Sequence, residues 1–399
     1  MKLTLSSVDD LSARVEEARA EYERQYPGEP EQRRPVHTVC VPADRFTAAT
    51  AADLGKEALR LLDAHAPDGA AAATAFGIDA ALGDTVRERV AAKLARDPVE
   101  DLRIDFADGY GVRDDAEEDG HVAAAVEAVA QAYETRSLPY YWGLRVKSFA
   151  DGGHERTMRT LDGFLTGLAE RLGRLPGGFV MTFPKIVTPE HVRIFGDFLG
   201  RFEEEIGLPE GLLRFEIQIE TPQSVASLPE ILDEAGKRLS AAHFGVHGYT
   251  AALGLPPSEQ RLDHPACDHA RHVMQVALAG TGVRLSDGSA NVVPAGEETK
   301  DVHKAWRLHA GLVRYSLLHG FYQGWDEHAA QLPSRYAAVY AYLLNGLDDT
   351  VERLRAHRSG QGDGDVLDDP ATVAALTARL RSAVDCGAVD RDTVRELID

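Results

Sequence analysis

The chain has 399 residues, 44% of them apolar, and a formal net charge of −21. That length allows a large core, as one barrel-sized domain with extensions or as two domains. The acidic balance argues against a nucleic-acid or anionic-membrane partner, because a phosphate-binding face needs clustered Lys and Arg. The sequence has no run of about 18 apolar residues and no apolar signal core at its start, so we expect a soluble, cytoplasmic protein. The three cysteines are widely spaced and form no CxxC pair, which indicates core or surface thiols.

The predicted elements begin with a charged helix and a linker rich in Pro, Gly and Glu over residues 1–34. Short apolar runs bounded by Gly, Pro or Asp then alternate with stretches of helical period, a pattern typical of βα units around parallel strands. The predicted strands span 38–43, 102–107, 140–146, 178–186, 214–220, 241–246, 282–288 and, more weakly, 319–325. Residues 334–358 predict one helix, followed by a flexible segment over 359–366 and short helices that begin near Asp369.

Eight such units predict an α/β fold, a (β/α)8 TIM barrel over residues 35–333. We expect an N-terminal helical extension over 1–34 and a C-terminal helical cap over 334–399. A doubly wound open sheet is the alternative, but no GxGxxG motif follows the first predicted strand. We interpret the C-terminal segment as a cap that packs on the barrel or forms an oligomer.

In such a barrel the active site lies where the strands meet their following loops. The second to sixth predicted strands carry ionisable residues at that end: Asp105, Asp108, Arg145, Lys147, Lys185, Glu220, His243 and His247. Because alternate residues of a strand share a face, Glu216, Gln218 and Glu220 point the same way. Such a polar row is unusual in a filled core, where buried polar groups need partners.

Each of these candidates also has a purely structural interpretation. Arg145 and Lys185 are candidates for internal ion pairs with the nearby acids. His243 is favoured as a core histidine over a ligand, and the acidic run 114–119 indicates a solvated loop or helix start. A further cluster is interpreted as an exposed polar helix face rather than a metal site: His264, Asp268, His269 and His272.

These residues stand in stretches that resemble the citrate lyase β-subunit and hydroxy-dioic acid aldolase family, within the phosphoenolpyruvate/pyruvate-type barrel superfamily that includes malate synthase. The first stretch is TVCVPADR (38–45), similar to the family's opening strand and its VPG-D-R turn, and the last is GFYQGWDEHAAQL (320–332). Between them come, in the family's order, DFADGYG, GLRVKSF, FPKI, IETPQS and FGVHGYTAALG. Each motif alone is weak, but the ordered set is fairly specific.

The resemblance implies a carbon–carbon lyase or aldolase that acts through an enolate on a small oxo- or hydroxy-carboxylic acid, or on its coenzyme A thioester. Such chemistry needs a cation on the enolate oxygen, a group that binds the carboxylate, and a base. The resemblance implies Glu220 as the ligand of Mg²⁺ or Mn²⁺. We predict Arg145, Asp108, His247 and Lys185 as catalytic residues and Arg145, Asp105 and Lys147 as substrate-binding residues; the resemblance implies the roles of Arg145, Lys185, Asp105 and Asp108, whereas His247 and Lys147 are candidates from their positions after strands.

Two positions depart from the family pattern. Ala107 takes the place of Glu in the Glu-Asp pair that usually ends the second strand, and Gly248 occupies the place of a second metal-binding Asp. One carboxylate with waters and substrate oxygens can still hold magnesium, although more weakly. His247, beside Gly248, suits a softer metal ion, or a general acid or base in a site without metal, and both alternatives stay open.

We weigh the metal-assisted lyase against a divergent barrel enzyme that uses Arg145, Asp108 and His247 without a tightly bound metal, for decarboxylation, hydrolysis or isomerisation. A non-catalytic binding protein is the third hypothesis. Free acids and thioesters both stay open as substrates, since no phosphate-cradling Gly-rich loop stands out. The resemblance also implies a homo-oligomer.

Overall fold

Eight parallel strands close into a barrel in the computed structural model, which describes residues 9–28, 32–294, 296–359 and 369–398. The strands are β1 His37–Pro42, β2 Asp101–Asp105, β3 Tyr141–Arg145, β4 Phe179–Phe183, β5 Phe215–Ile219, β6 Leu239–Phe244, β7 Arg284–Ser289 and β8 Gln323–Asp326. They pair in sequence order, and β8 closes on β1, where His37 lies opposite Gly324. The predicted (β/α)8 barrel is therefore confirmed, and every predicted strand is found.

The helices of the described residues lie around the barrel and towards the two ends of the chain. They are α1 Asp9–Gln25, α2 Thr50–His65, α3 Gly69–Phe76, α4 Gly83–Arg96, α5 Asp115–Glu134, α6 His154–Leu172, α7 Pro189–Ile206, α8 Pro222–Ala226, α9 Leu228–Ala235, α10 Val246–Ala252, α11 Pro265–Leu278, α12 Thr299–Leu318, α13 Leu332–Leu344, α14 Leu347–Arg358, α15 Pro370–Asp385 and α16 Arg391–Ile398. Side-chain caps fix several starts. At α5, Asp114 accepts the Glu117 N–H at 2.8 Å, and at α8, Thr221 accepts the Ser224 N–H at 3.0 Å. Each cap satisfies an N–H that has no partner within its helix.

The interior of the barrel is filled by a polar network. Arg103 of β2 donates to Glu216 of β5 at 2.7 Å and to Thr182 of β4 at 3.0 Å. His243 of β6 bonds Glu216 at 2.9 Å through Nε2, and its Nδ1 accepts the indole N–H of Trp325 at 2.5 Å. His243 is thus a satisfied core histidine, as predicted. These mutual hydrogen bonds offset the cost of burying charged groups inside the barrel.

The N-terminal helix lies outside this packing. No residue of α1 is buried, and the chain after it meets the barrel where the Gly28 N–H donates to the Gly280 carbonyl at 2.8 Å. In the C-terminal segment, the Tyr340 hydroxyl of α13 donates to the Cys386 carbonyl just after α15, at 2.7 Å. The proposed domain limits at residues 34 and 333 stay predictions.

One C-terminal prediction is wrong. The single helix expected over 334–358 is two helices, because Gly346 adopts a left-handed φ of 69° between α13 and α14. The predicted start near Asp369 is found, since its carboxylate accepts the Thr372 N–H at 2.7 Å and caps α15. Beyond Ser359, the flexible segment expected over 359–366 lies outside the described residues.

Two simpler expectations from composition can be compared with the structure. The three cysteines are buried and free, as expected of core thiols: Cys40, Cys267 and Cys386. Across the described ranges, none of the helices combines the length and apolar character that a membrane crossing requires.

Candidate active site at the carboxyl end of the barrel

Arg145, the last residue of β3, lies at the centre of the predicted cluster. Its Nε donates to Gln218 at 3.0 Å, its Nη1 to Asp105 at 3.4 Å and its Nη2 to Asp108 at 2.9 Å. The guanidinium carbon also lies 5.5 Å from the centre of the Trp325 ring. A guanidinium has five N–H donors, so this arrangement fixes the group and leaves two donors for a ligand.

Two carboxylates with different environments hold Arg145. The side chain of Asp105 is buried, and its oxygens also accept the backbone N–H groups of Ala107 at 2.8 Å and Gly109 at 2.9 Å. The side chain of Asp108 is 61% exposed. Burial acts to lower the pKa of Arg145, but Asp105 and Asp108 raise it above its usual value. Arg145 therefore stays charged, and Asp108 is the acid that a ligand can reach.

Glu220 follows β5 directly and is 7% exposed. Its Oε1 accepts the backbone N–H of Lys185 at 2.8 Å. Burial raises the pKa of Glu220, and the positive charge of Arg145 opposes that rise without cancelling it. A cation placed beside a carboxylate whose pKa is raised by burial strongly stabilises the charged form of that carboxylate.

Lys185 links the two acids Glu220 and Asp108. Its backbone has a φ of 48°, a left-handed conformation that costs a residue with a side chain roughly 1–3 kcal/mol. Its ammonium bonds Asp151 at 2.9 Å and lies 3.7 Å from Asp108. The hydrogen bond to Asp151 raises the pKa of Lys185. The strained backbone thus aims an N–H at Glu220 while the side chain adds positive charge beside Asp108.

Two glycines let α10 approach the end of β5. A Cβ built on Gly245 would lie 2.2 Å from the Glu220 Cβ, which no real structure tolerates. A Cβ on Gly248 would lie 2.9 Å from Glu220 Oε2 and 3.0 Å from the Glu220 carbonyl oxygen. The family resemblance implies a second acid at position 248. Because Gly248 packs closely on Glu220, a side chain at this position would have to displace Glu220 or shift the backbone of α10.

The structure does not bring Lys147 into this cluster. Its ammonium donates to the Phe106 carbonyl and to Glu118, both at 2.7 Å, and lies over the Tyr110 ring. These bonds tie the end of β3 to α5, and the role of Lys147 in substrate binding stays a prediction. The acidic run 114–119 contains the start of α5 at Asp115, as one of the two predicted alternatives, but Glu118 is not solvated, because it is 1% exposed and paired with Lys147.

His247 lies in the first turn of α10 and is half-buried. Within the described part of the chain, no group hydrogen bonds its imidazole ring. Its role as a ligand or as an acid or base stays a prediction. The cluster of His264, Asp268, His269 and His272 holds no metal-like arrangement either: His264 caps α11, and Asp268 is engaged by Arg271 and Tyr315.

The donor set at the site suits a divalent cation only in part. Glu220 offers one hard carboxylate oxygen, Oε2, since Oε1 accepts the Lys185 N–H. Among the described residues there is no group of three or more His, Cys, Asp or Glu that could hold a metal ion. A cation at this place would therefore depend on oxygens of the substrate and on water to complete its shell.

Three residues of the site carried no predicted role. Gln218 was placed on the inward face of its strand, and alternation alone was the signal for it. Trp325 stands in the weakest predicted strand, and Asp151 lies in a loop after β3 that has no diagnostic motif. All three act by holding the charged groups: Gln218 and Trp325 contact Arg145, and Asp151 pairs with Lys185.

Comparison with known proteins places this geometry in context. A family described as "Domain of unknown function (DUF6986)" matches residues 15–398. The chain belongs to this family. Over 91 residues the DUF6986 chain is 41% identical to the L-malyl-CoA/β-methylmalyl-CoA lyase of Haloarcula marismortui, a match that covers 23% of the chain and 26% of that lyase. The chain thus spans about a quarter of the length of this curated relative.

Solved structures similar to the DUF6986 chain include a citrate lyase from Burkholderia xenovorans LB400, with a TM-score of 0.59 at 20% identity, covering 78% of this chain and 91% of that one. They also include protein CitE from Mycobacterium tuberculosis in complex with magnesium, acetoacetate and coenzyme A. That structure has a TM-score of 0.51 at 16% identity, covering 89% of this chain and 100% of that one. The predicted likeness to these barrels is confirmed at the level of the fold.

Proposed function

We propose that this DUF6986 protein is a carbon–carbon bond lyase of the aldolase type, acting on a small hydroxy- or oxo-carboxylic acid or on its coenzyme A thioester. One observation carries the proposal. At one end of the barrel, a buried guanidinium with two unused donors, Arg145, lies among carboxylates that include the buried Glu220 and the exposed Asp108. The 41% local identity to a malyl-CoA lyase supports the same reaction type.

In the proposed reaction, the bond between the hydroxyl-bearing carbon and its neighbour breaks. The hydroxyl proton passes to Asp108, and the hydroxyl oxygen becomes the carbonyl of an oxo acid. The bonding electron pair becomes the enolate of the second product, which then takes a proton at carbon. Arg145 binds the carboxylate of the oxo acid through its two unused donors, as a planar guanidinium does well.

The surrounding residues keep these groups in place before the reaction begins. Gln218 and Asp105 fix the Arg145 guanidinium, so little reorganisation accompanies the change in charge. Lys185 places positive charge next to Asp108 and holds Glu220 through its backbone N–H. Fixed donors and charges of this kind stabilise developing negative charge better than mobile water does.

A divalent cation, when bound, supplies positive charge to the enolate oxygen. We propose that Glu220 would hold it together with oxygens of the substrate, and that Mg²⁺ or Mn²⁺ is the ion, because both prefer oxygen ligands. Coenzyme A enters this proposal only as part of the substrate. We also propose a cytoplasmic homo-oligomer that has neither nucleic-acid nor membrane partners.

The test is cleavage of a malyl-type thioester and of the matching free hydroxy acid, with the oxo-acid product trapped and quantified. We expect turnover with Mg²⁺, loss on chelation, and a fall of at least about 100-fold in kcat for Asp108→Asn, as for loss of a general base. Glu88→Gln, an exposed acid on α4, is the control and should keep full activity. Turnover that survives chelation but disappears in His247→Ala would instead identify the metal-independent enzyme.

A further inference from the structure

A cavity of about 700 Å³ opens at the end of the barrel opposite the Arg145 cluster. It is formed where strands begin: Tyr141 starts β3, Phe179 starts β4, Arg214 precedes β5, and Arg284 starts β7. None of the described residues that line it is Asp or Glu. Its size is that of a small-molecule site, typically about 300–1,000 Å³.

Arg284 is one of the residues that line this cavity. Its side chain is 11% exposed, and its guanidinium carbon lies 4.9 Å from the centre of the Tyr141 ring. Nη2 donates to Glu216 at 3.0 Å, while Nε is buried and has no acceptor among the described residues. Arg284 shares Glu216, which also accepts from Arg103 and bonds His243, while Arg103 has Asp101 as a second carboxylate partner.

Two further arginines line the cavity without a carboxylate partner in the described structure. Arg214 donates to the neutral Leu239 carbonyl at 2.9 Å, and Arg136 lies exposed at the rim. Burial and then the charge of Arg284 lower the pKa of Arg214. In a chain with a net charge of −21, this is a local excess of positive charge.

We propose that this cavity is a second ligand site, which binds a polyvalent oxyanion through the guanidinium groups of Arg136, Arg214 and Arg284. Guanidinium groups bind phosphate and carboxylate with paired N–H donors. The ligand is a phosphorylated or a polycarboxylate metabolite, which share this chemistry. The aromatic and apolar lining, which includes Tyr140 and Phe179, leaves room for a carbon skeleton.

Calorimetric titration of the full chain tests the site, with pyrophosphate and citrate as separate probes and with a chelator present. The double variant Arg136→Gln/Arg214→Gln removes two exposed charges without touching the buried network. Its matched control is Arg60→Gln/Arg193→Gln, which removes two exposed charges on α2 and α7. We expect the cavity variant to bind at least about tenfold more weakly, or about 1.4 kcal/mol, and the control to bind like the unmodified chain.

A third variant separates the two ends of the barrel. Arg145→Lys alters the strand-end cluster and should leave the binding of at least one probe intact, since the cavity lies at the other end. If pyrophosphate binds more tightly than citrate, the ligand is assigned as a phosphorylated metabolite. If citrate binds more tightly than pyrophosphate, the ligand is assigned as a polycarboxylate. Absence of binding of both at millimolar concentration, or equal weakening in the cavity and control variants, would overturn the proposal. So would a loss confined to Arg145→Lys.

Discussion

Replacing Glu220 by Gln should abolish turnover and at the same time make the protein more stable at pH 7. Gln keeps the shape of Glu and the acceptor for the Lys185 N–H, but it carries no charge. Burial raises the pKa of Glu220, so the folded chain binds this proton more tightly than the unfolded chain does. Stability therefore falls as the pH rises from the ordinary carboxyl pKa through the raised one.

The size of the gain follows from the same shift. Each unit by which the pKa is raised corresponds to about 1.4 kcal/mol of stability lost at neutral pH. The Gln variant has no such loss, so its gain in stability over the unmodified chain should grow as the pH rises above the ordinary carboxyl pKa and should be small below it. With an unfolding entropy of about 2.1 cal/mol/K per residue, 1 kcal/mol shifts the Tm of a chain of this length by only about 1 °C. Urea unfolding at several pH values is therefore the better assay.

The control for this measurement is Glu88→Gln, which removes an exposed carboxylate on α4 and should change neither stability nor turnover. A Glu220→Gln variant that is less stable than the unmodified chain at pH 7, by an amount that does not change with pH, would refute the reasoning. Retained turnover in that variant would separately remove Glu220 from the reaction.

Three further outcomes are expected. Gly248→Ala should lower activity and reduce the free energy of unfolding by about 1–3 kcal/mol, as overpacking does, because its Cβ would lie 2.9 Å from Glu220 Oε2. For the same reason, Gly248→Asp should fail to tighten Mg²⁺ binding. Tighter binding in that variant would show that α10 moves aside. Lys185 has a left-handed φ of 48°, which Gly adopts without strain, so Lys185→Gly should keep the fold while lowering kcat. Unfolding of this variant would contradict the conclusion that the backbone of Lys185 is strained. Because Arg103 and His243 hold the pKa of Glu216 well below its usual range despite burial, stability should fall as the pH drops below the ordinary carboxyl range. Glu216→Gln should remove that dependence and cost about 3–5 kcal/mol in urea unfolding at pH 7.

The sequence predicted the barrel because each strand carries a local signal. A short apolar run ends in Gly, Pro or Asp, and a stretch of helical period follows, so the order of elements required no knowledge of distant contacts. The break between α13 and α14 was not predicted, because the residues on both sides of Gly346 have a helical pattern and the left-handed φ of Gly346 is seen only in the structure.

The candidate site was predictable to the extent that its residues end strands. Arg145 and Glu220 follow from the rule that barrel strands present their chemistry at the carboxyl end. Lys147 also follows the end of a strand, yet its ammonium donates to Glu118 of α5, and this contact between two elements is not encoded in the local sequence. The packing of Gly248 on Glu220 depends on the distance between β5 and α10, which no local pattern encodes.

The most direct test of the proposed reaction is a single-turnover assay with a malyl-type thioester, in which the oxo-acid product and the shortened thioester are both quantified. We expect the two products in equal amounts from the full chain with Mg²⁺, and neither from Glu220→Gln or Arg145→Lys. Equal turnover in the full chain and both variants, or no product from any hydroxy acid or thioester, would contradict the assignment of carbon–carbon cleavage to this end of the barrel.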